Sequence, residues 1–284
     1  MHDISRQQGF EIRTLKNDRV EIAVAPALGA KVISLKNLAT GRQWMWHPGT
    51  SLRLFANRLG DDFAASTMTG WDECIPTIAP CRWKGRDLPD HGEVWSVPWQ
   101  VDEDRWGQGV LKTSVKLAIS PLSFERSIKL VGGEVRVNYA LTNLGAASED
   151  FLWAMHPLMP AGAGDRLDVP EEVRAMLGNS EWLDTLDASE FCPPYVKAYA
   201  SGISQGHAAA INDVSGDRLE FSWDASENDK LGLWLTRGGW NGHHHLAIEP
   251  TNAAADSLAE TGTKHGSIGG GASKNWSVRL RLSS

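Results

Sequence analysis

Alternation of polar and apolar residues is the feature of this sequence that most constrains its fold. Residues 134–141 read EVRVNYAL, and residues 276–282 read WSVRLRL. Successive side chains of a strand point to opposite faces, so a period of two predicts antiparallel strands with one buried face. We predict further strands at residues 20–25, 31–36, 110–119, 123–130, 218–223 and 231–235, and a hairpin turn at residues 131–134.

Helical periodicity is rare in this chain. Short helices are predicted only at residues 170–176, with Pro170 at the first position, and at residues 181–186. Long loops are predicted at residues 40–92 and 157–215, and such loops are often functional. The pattern predicts an all-β fold, a sandwich or barrel of antiparallel strands, in a single domain spanning residues 1–284.

Composition excludes several classes of partner. The net charge is −7 and the basic residues are scattered, so nucleic acid is not an expected partner. No apolar run approaches the length of a membrane span, and the polar N-terminus lacks the apolar segment of a secretory signal. The three cysteines do not indicate a disulfide framework. We expect a cytoplasmic protein; the sequence does not indicate its oligomeric state.

Two acidic segments flanked by tryptophan lie between residues 70 and 99. The first is Trp71-Asp72-Glu73, and the second contains His91 shortly before Trp95. Carboxylates and imidazoles bind sugar hydroxyls, and indoles stack on the apolar face of a sugar ring. The same residues are also typical of a polar loop with turn-forming Asp and Gly. The segments are therefore candidates for sugar binding, with a turn-rich loop as the alternative.

Two further segments each end an apolar run with one charged or titratable residue before a proline. His156 precedes Pro157, and Glu249 precedes Pro250. Proline interrupts a strand, so both residues are predicted at the ends of strands, with His156 at a sheet rim. Either could be a polar strand end without a function. Together they offer an acid and a base on rigid supports.

These segments, in this order, resemble the aldose 1-epimerase (galactose mutarotase) superfamily, of which the chain is identified as a divergent member. The resemblance is carried by residues 26–35 (PALGAKVISL), 40–46 (TGRQWMW), 90–95 (DHGEVW), 98–99 (PW), 155–157 (MHP), 247–251 (AIEPT) and the last strand. It implies a β-supersandwich that binds a monosaccharide or sugar derivative in an open cleft on one sheet.

The resemblance also implies roles for individual residues. Glu249 resembles the catalytic base and His156 the catalytic acid, while His91 would hydrogen-bond the ring oxygen or a neighbouring hydroxyl. The implied reaction opens the hemiacetal ring and interconverts the α and β anomers. It needs no metal, nucleotide or other cofactor.

The chain also departs from the family pattern. Arg58 is a loose candidate for an arginine that mutarotases carry before the first histidine. No residue clearly matches their substrate-binding aspartate, for which Asp229 is the nearest position. Mutarotases proper lack the acidic segment with Asp72 and Glu73. These two residues are therefore predicted to set the substrate preference, and neither the sugar nor its phosphorylation state follows from the sequence.

Two alternatives remain open at the level of the sequence. His243, His245 and Glu249 have the spacing of a cupin metal site, which would make the protein a metal-dependent enzyme. The second alternative is a sugar-binding protein without catalysis, in which Trp71, Trp95 and Trp240 would contact a glycan together with Asp72 and Glu73.

Overall fold

The computed structural model describes residues 1–66, 68–178, 180–184, 195–260 and 264–284. The α-helices are α1 (Glu103–Gly107) and α2 (Glu171–Leu177), and a short 3-10 helix covers Glu181–Leu183. The strands are β1 (His2–Gln7), β2 (Phe10–Lys16), β3 (Val20–Ala25), β4 (Lys31–Asn37), β5 (Trp71–Cys74), β6 (Cys81–Trp83), β7 (Arg86–Leu88), β8 (Gln100–Val101), β9 (Leu111–Lys116), β10 (Leu122–Val131), β11 (Glu134–Asn143), β12 (Glu149–Phe151), β13 (Ala154–Pro157), β14 (Met159–Pro160), β15 (Asp165–Asp168), β16 (Tyr195–Ser201), β17 (Gly206–Asn212), β18 (Arg218–Trp223), β19 (Lys230–Arg237), β20 (His244–Thr251), β21 (Gly266–Ile268) and β22 (Ser273–Ser283). Within the described ranges, no helix is long and apolar enough to cross a bilayer.

Two large antiparallel sheets make up most of the molecule. The ten-stranded sheet has the order β1-β2-β3-β4-β5-β13-β20-β19-β16, with β14 also paired to β20. The eight-stranded sheet has the order β15-β17-β18-β22-β11-β10-β9-β8. Two small ribbons, β12-β21 and β6-β7, complete the strands. The predicted all-β, antiparallel class with few short helices is confirmed.

One hydrophobic core lies between the large sheets. It includes Met155 and Ile248 from the ten-stranded sheet and Phe124, Tyr139 and Trp276 from the eight-stranded sheet. The Tyr139 ring stacks on Trp276 with centroids 5.5 Å apart and on Phe124 at 5.8 Å. Alternation therefore places apolar side chains of both sheets in a shared interior, as is usual for packed sheets.

A buried ion pair also joins the two sheets. Glu73 of β5 accepts hydrogen bonds from Arg126 Nη1 at 3.0 Å, Tyr139 Oη at 2.9 Å, Trp71 Nε1 at 3.0 Å and Trp153 Nε1 at 2.9 Å. Arg126 belongs to β10, so the pair spans the interior. Both residues are buried. A charge pair this deep in a protein requires such additional hydrogen bonds to offset its desolvation.

Most of the predicted strands are confirmed, including the hairpin at Gly132 and Gly133. The helix predicted at residues 170–176 is observed as α2, and the one predicted at 181–186 as a 3-10 helix over Glu181–Leu183; residues 185 and 186 lie outside the described residues. Helix α1 was not predicted. The predicted loops were partly wrong, because 40–92 contains β5 to β7 and 157–215 contains β14 to β17 and α2. All four residues of β5 are buried, so the strand shows no alternation in its sequence.

We predict that Glu73→Gln lowers the free energy of unfolding by about 3–5 kcal/mol, because it leaves Arg126 as an uncompensated buried charge. Urea unfolding followed by tryptophan fluorescence measures the change. Glu134→Gln is the matched control: it breaks the exposed pair between Glu134 and Arg136 and should cost less than about 1 kcal/mol. Equal losses in the two variants would contradict a structural role for the buried pair.

Candidate active site

The outer face of the ten-stranded sheet carries the candidate site. Met155 of β13 and Ile248 of β20 point into the core, so the next residues, His156 and Glu249, point to the opposite face. This face presents four side chains capable of chemistry from three adjacent strands: Asp72, Cys74, His156 and Glu249.

The predicted position of His156 at a sheet rim is wrong. His156 pairs with Asp72 inside the sheet, and Pro157 pairs with Trp71 in the same ladder. Glu249 lies within β20 opposite Gly232. Proline is tolerated here because the pairing with β20 is interrupted between β13 and β14. His156 is therefore paired to β5 and Glu249 to β19, and both lie within strands.

His91 reaches the same face from a loop. Its φ of 55° lies in the left-handed region, which a non-glycine residue seldom adopts. Gly92, which follows, approaches the backbone so closely that a Cβ would lie 2.1 Å from the Ile75 carbonyl oxygen. Asp90 Oδ1 lies 2.8 Å from His91 Nδ1, and the Phe63 ring stacks on the imidazole at 3.8 Å. The His91 ring is thereby held 5.2 Å from the His156 ring.

A small pocket of about 130 Å³ opens beside the two histidines. Its walls combine aromatic, imidazole and charged side chains, which are groups that stack on sugars and form hydrogen bonds with their hydroxyls. It is lined by Phe63, Ala64, Met68, Asp90, His91, His156, Leu158, Lys197, Trp234, Trp240 and His245.

Glu249 lies beneath this pocket and is fully buried. Its Oε1 is 3.7 Å from His156 Nε2, and neither carboxylate oxygen accepts a hydrogen bond from the residues that the structure describes. Burial raises the pKa of Glu249 to about 7, while the positive charge of Lys197 opposes that rise. A Cβ at Gly232 would come within 3.0 Å of Glu249 Oε2, so glycine leaves room for this carboxylate.

The pKa of the His156 imidazole is shifted in the opposite direction. Burial lowers its pKa well below the usual value, and the neighbouring charges of His91 and Lys197 act in the same direction. Its Nδ1 is buried without a hydrogen-bond partner. The site thus contains a carboxyl and an imidazole whose pKa values lie in the reverse of their ordinary order; perturbed pKa values of this kind are common where proton transfer takes place.

Lys197 is a functional candidate that our sequence reasoning missed. It lies on β16, and its Nζ is 2.5 Å from Asp256 Oδ1, which also accepts a hydrogen bond from Tyr199 at 2.5 Å. Burial works against its charge, but Glu249 and Asp256 outweigh burial and raise the pKa of Lys197. The alternation in Tyr195-Val196-Lys197-Ala198-Tyr199 was the available signal for a strand there.

The acidic segment of β5 divides between the two faces of the sheet. Asp72 lies on the face of the site, where its carboxylate pairs with buried Lys31 and its Oδ1 has no hydrogen-bond partner. Glu73 and Trp71 lie on the core face and are fully buried. The structure does not bring Glu73 or Trp71 to the pocket, because adjacent residues of a strand point in opposite directions.

Three other residues considered from the sequence as sugar contacts, Trp95, Arg58 and Asp229, do not line the pocket. Trp95 is buried against Phe63 and donates a hydrogen bond to the Asp90 carbonyl at 2.9 Å, so it supports the loop that carries His91. The side chain of Arg58 is exposed and does not line the pocket. Asp229 pairs with its neighbour Lys230, also away from the pocket.

The cupin-like set is not brought together. His245 and Glu249 are four residues apart on β20, which separates their Cα atoms by about 13 Å, too far for one metal ion. His245 Nδ1 instead accepts a hydrogen bond from Trp234 Nε1 at 3.2 Å. A different set, Cys74, His91 and His156, places its sulfur and nitrogen atoms within 4.8 Å of one another.

No protein-family model and no curated protein sequence matches the chain. Solved structures do match it over nearly its whole length. A galactose mutarotase-like protein from Clostridium acetobutylicum is 14% identical, with a TM-score of 0.72, and the match covers 100% of this chain and 98% of that one. The chain has the galactose mutarotase-like fold. This confirms the predicted resemblance at the level of the fold.

Two further structures agree with this assignment of the fold. A galactose mutarotase-like protein from Lactobacillus casei ATCC 334 is 16% identical, with a TM-score of 0.69, over 96% of this chain and 100% of that one. An inferred aldose 1-epimerase from Escherichia coli K12 is 15% identical, with a TM-score of 0.68, over 96% and 98% of the two chains.

We predict that Glu249→Gln stabilises the protein in a pH-dependent manner. The pKa of Glu249 is about 7 in the folded protein against 4.5 ordinarily, so wild-type stability is lost as the pH rises from 4.5 to 7. Glutamine does not ionise. The gain in the variant should therefore be larger at pH 8 than at pH 4.5 by about 3 kcal/mol, as measured by urea unfolding. An equal gain at both pH values would contradict the raised pKa.

Proposed function

We propose that this protein is an aldose 1-epimerase-like isomerase that interconverts the α and β anomers of a monosaccharide. The observation that supports the proposal best is the pair formed by Glu249 and His156. The two groups lie 3.7 Å apart beside the pocket, and among the described residues the carboxylate has no hydrogen-bond partner. Structures with the same fold include a galactose mutarotase-like protein and an inferred aldose 1-epimerase.

The pair supplies both proton transfers that ring opening requires. Glu249 as a carboxylate removes the proton of the anomeric hydroxyl, and the imidazolium of His156 donates a proton to the ring oxygen. The bond between the anomeric carbon and the ring oxygen then breaks and leaves an aldehyde. After rotation about the adjacent carbon–carbon bond, the same steps in reverse close the ring as the other anomer. General acid–base catalysis of this kind contributes about 10²–10⁴-fold.

Glu249 and His156 share one proton near neutral pH. The pKa of Glu249 is about 7 and that of His156 is well below its usual value, so the proton resides on Glu249 in the free protein. The reactive arrangement, with a carboxylate and an imidazolium, contains the same single proton. The ratio of the two arrangements is therefore independent of pH, and the pair titrates as a unit. Activity requires the singly protonated pair.

The remaining walls of the pocket position the sugar. His91 is oriented by Asp90, whose carboxylate accepts a hydrogen bond from Nδ1, so Nε2 can accept a hydrogen bond from a sugar hydroxyl. Lys197 carries a positive charge close to Glu249 and stabilises its carboxylate form. Trp234 and Trp240 meet edge to face with centroids 5.7 Å apart, which offers indole surface to the apolar face of a pyranose. Asp72 does not line the pocket; it pairs with Lys31 and interacts electrostatically with His91.

One observation favours a second candidate, sugar binding without turnover. Glu249 has no exposed surface and does not itself line the pocket. A substrate hydroxyl must therefore enter between the side chains of His156 and Lys197 before it can reach the carboxylate. If it stops at the pocket wall, the protein binds sugars but does not epimerise them.

We predict that the protein accelerates the mutarotation of at least one sugar among freshly dissolved aldoses and sugar phosphates, measured by polarimetry. Glu249→Gln should lower the rate by about 10²–10⁴-fold, because it removes the base while keeping the shape. Sugar affinity measured by calorimetry should change little. Glu134→Gln on the exposed strand β11 is the control and should keep full activity. Binding without acceleration in the wild type would favour the second candidate, and near-wild-type turnover in Glu249→Gln would exclude Glu249 as the base.

We predict that kcat/KM is level just below pH 7 and falls about tenfold per pH unit above about 7, because the pair then loses its shared proton. Lys197→Met removes the charge that opposes the rise in the pKa of Glu249. It should therefore move the decline to higher pH. Rates are measured by polarimetry and corrected for the uncatalysed reaction at each pH. A rate that increases with pH through 7 would show that Glu249 acts without a proton on His156.

A further inference from the structure

We propose that Cys74, His91 and His156 form a binding site for a divalent transition metal of the zinc type. Their sulfur and nitrogen atoms lie within 4.8 Å of one another. One thiolate and two imidazoles are ligands that zinc and cobalt(II) prefer, and three protein ligands with one open position are typical of an accessible zinc site. The inference concerns metal binding and does not depend on the proposed isomerase activity.

The relative position of the two imidazoles suits a tetrahedral ion. Their centroids are 5.2 Å apart and their planes are nearly perpendicular, at 81°. Zinc–nitrogen bonds of about 2.0–2.1 Å at a tetrahedral angle place two ring centroids about 5 Å apart. The same bond lengths place ligand atoms roughly 3.3–3.7 Å from each other. Side-chain rotations that move these atoms by about 1 Å would therefore complete the site.

The surroundings of the histidines match those of metal ligands. Asp90 Oδ1 lies 2.8 Å from His91 Nδ1, which fixes the ring and leaves Nε2 for another partner. A carboxylate behind a ligating histidine is the usual second partner in metal sites. His156 Nδ1 is buried without a hydrogen-bond partner, so it is free to ligate a metal ion. Cys74 lies on the same face of the sheet as His156, two pairs away in the ladder between β5 and β13.

Charge balance at the site is favourable. Binding of a divalent ion by Cys74 releases the thiol proton to solvent, so a thiolate and two neutral imidazoles leave one net positive charge. Burial and, after it, the charges of Glu249 and Asp72 raise the pKa of the Cys74 thiol, so the ion must displace a tightly held proton. Once the ion is bound, the same two carboxylates offset its net charge. Because the ion uses both imidazoles, metal and sugar would exclude each other if the proposed isomerase mechanism holds.

The test is titration of the full-length, chelator-treated protein with Co²⁺. We expect one equivalent to bind and to produce a thiolate-to-cobalt charge-transfer band in the near ultraviolet, which Zn²⁺ abolishes by displacement. Cys74→Ser should remove the band, whereas the matched control Cys81→Ser should keep it, because Cys81 lies outside the cluster. Asp90→Asn should weaken binding by about 10–100-fold through loss of the carboxylate behind His91.

Further variants separate the possible outcomes. His91→Ala tests the site if Cys74→Ser fails to fold, and it should also weaken Co²⁺ binding. Glu249→Gln should still give the charge-transfer band even if it abolishes epimerisation, so failure of the proposed function and failure of the metal site are distinguishable. Absence of any band in the wild type, or a band that survives Cys74→Ser, would overturn the proposal. So would Co²⁺ binding that His245→Ala abolishes and His91→Ala does not.

Discussion

The buried pair between Glu73 and Arg126 is the interaction on which the rest of the molecule depends. It links the ten-stranded sheet to the eight-stranded sheet through the core, and three aromatic side chains complete the hydrogen bonds of the carboxylate. The same short strand, β5, presents Asp72 and Cys74 on its other face. The residues that fix the strand in the core therefore also fix the floor of the candidate site.

The fold was largely predictable from the sequence, because its long strands are buried on one face and alternate accordingly. The strands β10, β11 and β22 illustrate this, with a regular change between buried and accessible residues. β5 was not predictable in this way. It is buried on both faces, and its four residues mix indole, carboxylate and thiol groups, which are also typical of loops.

The candidate site was predictable only in part for the same reason. His91, His156 and Glu249 were found because the resemblance to a family ties them to recognisable segments. Whether Asp72 or Glu73 points to the side of the pocket depends on which face of the sheet each residue of β5 occupies. That assignment cannot be made for a strand that is not recognised in the sequence. Lys197 was missed because its role arises from a tertiary contact with Asp256 and from proximity to Glu249, neither of which is local in the sequence.

The close approach of Gly92 to the Ile75 carbonyl has a consequence for how such a site can evolve. The loop is also held by the Asp90 carboxylate, which accepts a hydrogen bond from the Phe63 N–H at 2.9 Å, and by the His91 N–H, which donates to the Ile78 carbonyl at 2.6 Å. Residue types that tolerate a left-handed backbone, such as asparagine, can therefore replace His91 without displacing the loop. A single substitution at position 91 can therefore change the functional group beside the pocket while the backbone of the loop keeps its conformation.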